Sequence, residues 1–109
     1  MSLSSGLEAV LTHQVAEADT ARVLGSGDLD VLGTPALLAL AEQATVAAVA
    51  PVLPAGATTV GARVQLEHLR ASPVGAQLTV RATLVAVDGR LLRFEVTAQD
   101  GNGVLVGHG

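Results

Sequence analysis

The chain has no cysteine, no tryptophan, no tyrosine and no lysine, and its one phenylalanine is Phe94. Without cysteine there is no disulfide, no thiolate nucleophile and no thiolate-ligated metal. With Phe94 alone, the chain offers almost no aromatic platform on which a single-stranded nucleic acid could stack its bases. All six basic residues are arginines scattered along 109 residues of net charge −4, which is no footprint for a phosphate backbone. The N-terminal residues, Met-Ser-Leu-Ser-Ser-Gly, carry neither the positive region nor the long apolar run of a secretory signal.

Charge is also nearly lacking between residues 31 and 62, where Glu42 is the one exception. This stretch reads as a helix from Thr34 to Ala50. Thr34 suits an N-cap, Pro35 suits the first helical turn, Ala and Leu fill the interior, and Pro51 ends the run. The helix is apolar nearly all round, so burial on most sides is expected. It holds Glu42 and Gln43 and falls short of the roughly 20 clean apolar residues that a membrane span needs. A soluble, cytoplasmic protein of one domain, residues 1–109, is the expectation.

Around the helix the pattern is that of strands. Residues 7–15 alternate loosely and predict a first strand, and residues 16–32 read as a long loop with one helical turn. Residues 58–69 alternate, with Val60, Ala62, Val64, Leu66 and His68 in one phase. Residues 76–87 place Leu78, Val80, Ala82, Leu84 and Ala86 on one side, and Asp88-Gly89 marks a hairpin. Residues 90–99 put Leu92, Phe94, Val96 and Ala98 on the apolar face, and residues 104–109 form a last short strand. An antiparallel sheet of about five strands must cover its apolar face, and the only cover on offer is the one helix. The pattern predicts an α+β hot-dog fold, the sheet wrapped around a central helix. One short helix leaves apolar surface over, so a homodimer is expected.

Three residues could carry chemistry. A carboxylate in an apolar helix needs a partner, a proton or water, so Glu42 is either on the one wet edge of the helix beside Gln43 or a catalytic group facing a pocket. His68, in the apolar phase of its strand, is either a satisfied core histidine or a general base within reach of Glu42. Thr34 is either a plain N-cap or a hydroxyl placed with the helix N-terminus to stabilise an oxyanion. Gly61 weakens its strand and marks either a bulge or the close approach of a ligand or another backbone. His13 and His108 have no acids at metal-ligand spacing, and no phosphate loop, G-x-S-x-G elbow or H-E-x-x-H occurs.

The order Thr34-Pro35, Glu42, Thr58-Thr59-Val60-Gly61, His68, Ser72-Pro73-Val74-Gly75, Val87-Asp88-Gly89-Arg90, Gly107-His108-Gly109 resembles the fluoroacetyl-CoA thioesterase-like family of hot-dog proteins. The resemblance implies a homodimeric acyl-CoA thioesterase with Thr34, Glu42 and His68 as catalytic set. It places Thr59, Val60 and Gly61 at the acyl pocket and needs no cofactor, CoA being part of the substrate. The rival expectation is a dimer of the same fold that holds an acyl-CoA or another hydrophobic ligand without turnover.

Overall fold

The computed structural model describes residues 3–109. Five strands, β1 (Glu8–Gln14), β2 (Glu67–His68), β3 (Gln77–Asp88), β4 (Leu91–Asp100) and β5 (Leu105–His108), form one antiparallel sheet in the order β1-β3-β4-β5-β2. Two helices, α1 (Ala21–Leu24) and the long α2 (Thr34–Val49), precede β2. The α+β hot-dog architecture expected from the sequence is the one observed.

The alternation in β3 sets the core. Leu78, Val80, Ala82 and Leu84 are fully buried, and the first three cluster with Ala98 of β4, Val106 of β5 and Leu37, Leu40 and Ala44 of α2. The expected inward Ala86 is exposed. Leu84 pairs with Phe94 but Ala86 pairs with Arg93, so Val85 is an extra residue. One inserted residue reverses the facing of all that follow in a period-two strand.

Two further expectations are corrected. The helix is not buried nearly all round: Leu37, Leu40, Ala41, Ala44, Ala48 and Val49 are buried, whereas Pro35, Ala39, Gln43, Val46 and Ala47 face outward. A single helix on a single sheet has one covered face, and within one copy its other apolar face stays open. By length and apolarity Thr34–Val52 also passes for a membrane span, yet here its inner face is the core layer over β1, β3 and β4.

Residues 58–69 are not one strand. Only Glu67 and His68 pair, opposite His108 and Gly107, and residues 57–66 take no regular structure. The predicted phase fails with the ladder: Leu66 and His68 are half-buried as expected, while Val60 and Val64 are 86% and 49% exposed.

Candidate active site

Thr34 is the first residue of α2, and Gly33 is the N-cap. The expected N-cap bond of Thr34 is therefore replaced by another, because its hydroxyl is turned sideways to a neighbouring strand. Thr34 Oγ1 lies 2.8 Å from His68 Nδ1. At the helix start, the Ala36 and Leu37 N–H groups both donate to the Gly33 carbonyl, and Pro35 has no N–H. Among the described residues the Thr34 N–H is left as the donor available at the positive end of the helix.

His68 is brought there by β5. Gly107 stands opposite it in the register, and a Cβ on Gly107 would meet both Leu37 Cδ2 and the Glu67 carbonyl oxygen at 2.9 Å. Glycine at this position lets β5 approach α2 and β2 together, and so brings the His68 ring to the helix start. With Nδ1 committed to Thr34, Nε2 is buried and has no hydrogen-bond partner among the described residues. An unsatisfied buried nitrogen is costly, by about 1–3 kcal/mol, and marks a group kept for something other than packing.

Glu42 sits two turns along α2, on the same face as Thr34 (i, i+8). It is half-buried and forms no ion pair within 4.0 Å among the described residues. The carboxylate lies over Gly61 instead of His68: a Cβ on Gly61 would sit 3.2 Å from Glu42 Cδ and closer still to Oε2. What approaches Gly61 is thus a side chain of the same chain. Glu42 is half-buried and Gln43 beside it is exposed, so Glu42 keeps contact with solvent at the edge of the covered face.

An open cleft of about 320 Å³ runs beside the helix start, with Thr34, His68, Leu29, Leu32, Leu69 and Arg70 on its walls. Thr34 and His68 line one cleft. Glu42, Thr59, Val60 and Gly61 do not line it. Thr59 is half-buried and Val60 is the most exposed large apolar side chain among the described residues, because the stretch that carries them is not held in the sheet. Among the described residues no three His, Cys, Asp or Glu side chains converge as metal ligands.

One pairing went unread in the sequence: His13 Nε2 lies 2.7 Å from Asp19 Oδ2. The signal was the phase of β1, in which Ala9, Leu11 and His13 are the half-buried positions. Burial works to raise the Asp19 pKa, but the Ala16 N–H and the His13 ring outweigh it and hold the carboxyl below its ordinary value.

Comparison with known proteins matches residues 15–109 to the family described as fluoroacetyl-CoA-specific thioesterase. A fluoroacetyl-CoA thioesterase of Streptantibioticus cattleyicolor is 39% identical over 72 residues, which is 66% of this chain and 52% of that protein. The match thus spans about half the length of that relative. Among solved structures, a phenylalanine-to-alanine mutant of the fluoroacetyl-CoA-specific thioesterase in complex with fluoroacetate and CoA superposes with a TM-score of 0.90 at 31% identity, covering 98% of this chain and 90% of that one. A Thermus thermophilus member of the thioesterase superfamily gives 0.88 at 26% identity, covering 96% and 77%.

Proposed function

The chain belongs to the fluoroacetyl-CoA-specific thioesterase family, and from that premise we propose that it hydrolyses small or medium acyl-CoA thioesters to the free acid and CoA. The observation that carries the reading is the Thr34–His68 pair, 2.8 Å apart at a helix N-terminus on the wall of an open cleft.

Hydrolysis needs water oxygen to attack the thioester carbonyl carbon, the C–S bond to break, and a proton to reach the departing sulfur. His68 is suited to carry that proton. Its Nδ1 is fixed by Thr34, which orients the ring, and its buried Nε2, without a partner among the described residues, is the nitrogen left to take a proton from water that enters with the substrate and to hand it to the thiolate. The Thr34 N–H and the positive end of α2 suit the carbonyl oxygen as negative charge builds on it. Within one copy Glu42 does not orient His68, since no contact within 4.0 Å joins the two, and its part as base or nucleophile rests on the family resemblance, with Glu42→Gln as its test. In this reading CoA belongs to the substrate and no further cofactor enters.

The protein works as a cytoplasmic homodimer in this proposal. The outward apolar face of α2 and the unpaired residues 57–66 are surface that a second copy would cover.

A panel of acyl-CoAs with a free-thiol readout tests the function. Release of thiol with a preference for short or medium chains is expected. Binding of the same acyl-CoAs without release would replace the enzyme by a binding module, and neither binding nor release would remove both.

A further inference from the structure

We propose that His13 and Asp19 are positioning residues for the Thr34–His68 pair, setting the start of α2 from the far side of the fold. The inference rests on the function proposed above for that pair, and it deepens it.

Asp19 is a bracket with two ends. Its carboxylate oxygen Oδ2 accepts the Ala16 N–H at 2.8 Å and meets His13 Nε2 at 2.7 Å, which ties it to β1. Its backbone carbonyl accepts the Gly33 N–H, also at 2.8 Å. Gly33 is the N-cap of α2, and the next residue is Thr34. A continuous path therefore runs from the His13 ring to the His68 ring, through hydrogen bonds of 2.7, 2.8 and 2.8 Å joined by the body of Asp19 and by Gly33-Thr34. On the other side, the Leu32 N–H donates to the Ser72 carbonyl at 2.8 Å, close after the histidine strand. The helix start is held from both sides, and Asp19 supplies one of them.

The surroundings suit a fixed strut. Thr20, next to Asp19, is fully buried, donates its hydroxyl to the Glu17 carbonyl and pairs with Leu32 in an isolated bridge. Val15 and Leu32, on either side of the turn, are each 1% exposed. The His13 and Asp19 side chains keep 31% and 23% of their surface, so the pair is shielded but not sealed. The Asp19 carboxylate can only accept, hence His13 Nε2 carries the proton and donates. A glutamine amide at position 13 can make the same donation, and a leucine cannot.

The role differs from ordinary structural support in what it moves. A strut acting on Thr34 changes the geometry at His68, where a misplacement of about 1 Å can cost on the order of a hundred-fold in rate. The test compares wild type, His13→Leu, His13→Gln and Asp19→Asn in the full-length chain. Two readouts are taken: kcat and KM on an acyl-CoA, and the ring nitrogen NMR resonances of His68, which report its tautomer and its bond to Thr34.

His13→Leu is expected to lower kcat roughly ten-fold or more with little change in KM, and to shift the His68 resonances. His13→Gln should restore both. If His13→Leu does not fold, Asp19→Asn gives the same comparison against wild type. Folded His13→Leu with unchanged kcat and unchanged His68 resonances would overturn the proposal. So would a His13→Gln variant as poor as His13→Leu, since the donated hydrogen bond would then be irrelevant. Should wild type release no thiol from any acyl-CoA, the proposed function falls, while the His68 resonances still decide whether His13 positions the ring.

Discussion

Glu42 and Gly61 share one space: the carboxylate of the first lies where a side chain on the second would begin. Gly61→Ala is therefore expected to push Glu42 aside. The backbone of Gly61 is not in the left-handed region, and what must yield is the end of a flexible side chain, so the fold should tolerate the change at the low end of overpacking costs, about 1 kcal/mol. Turnover should fall at least roughly ten-fold if Glu42 acts in the reaction. Thioester hydrolysis and melting temperature measured on one sample check this; equal activity in Gly61→Ala and wild type would count against Glu42.

Glu42→Gln keeps the shape and removes the charge. A hundred-fold or greater loss of turnover, on the order typical for a positioned acid or base, is expected. No ion pair is broken, so the melting temperature should hold or rise slightly. Lost stability with unchanged turnover would make Glu42 structural.

Thr34→Ala removes the bond to His68 but no N-cap, because Gly33 fills that position. Stability should drop by only about 0.5–1.5 kcal/mol, the worth of one net hydrogen bond. Turnover should fall far more than that in proportion, at least roughly ten-fold, and Thr34→Ser should recover most of it. A serine variant as inactive as the alanine variant would show that the hydroxyl is not what matters.

Asp19 makes acid stability readable. Its carboxyl is held below the ordinary 3.8, so its bonds contribute fully while it is ionised in both folded and unfolded chains, above about pH 4. That contribution is lost as pH falls through the lower folded-state value. Urea midpoints followed from about pH 6 to about pH 3 should decline less steeply in Asp19→Asn than in wild type. Parallel curves would mean that Asp19 does not couple protonation to folding.

Sedimentation at micromolar concentration is expected to give a dimer. Val46, 39% exposed on the outward face of α2, lies on the surface to be covered. Val46→Asp would put an unpaired charge in the interface, costing about 3 kcal/mol or roughly a hundred-fold in Kd, with circular dichroism unchanged. A wild-type monomer at that concentration would refute the dimer.

The sheet and helix were legible because burial has a period. Leu78, Val80, Ala82 and Leu84 alternate with outward residues, and they are the fully buried side of β3. The run from Thr34 to Val49 has the helix formers, and proline at both ends. Failures came where a pairing, not a pattern, decides. Val85 adds one residue to β3, which no count of apolar positions reveals. Val60 and Val64 alternate like strand residues but have no neighbouring strand to hold them. At the site, the meeting of Thr34 with His68 is a long-range contact that only the family resemblance hinted at, and Glu42 was expected nearer to His68 than it lies. His13 and Asp19 sit on either side of a turn whose path no periodicity describes.

β2 holds His68 by two residue pairs at the outer rim of the sheet, while β3 and β4 pair along most of their length. Opening energies within a fold are graded, from nearly nothing at fraying rims to the global value in the centre. The histidine therefore rides on a rim segment with a short ladder. On warming, this rim is expected to separate from the start of α2 while the central ladder stays closed, which would open the Thr34–His68 pair below the melting point. Because the chain has not unfolded at that stage, cooling re-forms the pair by simple local closure.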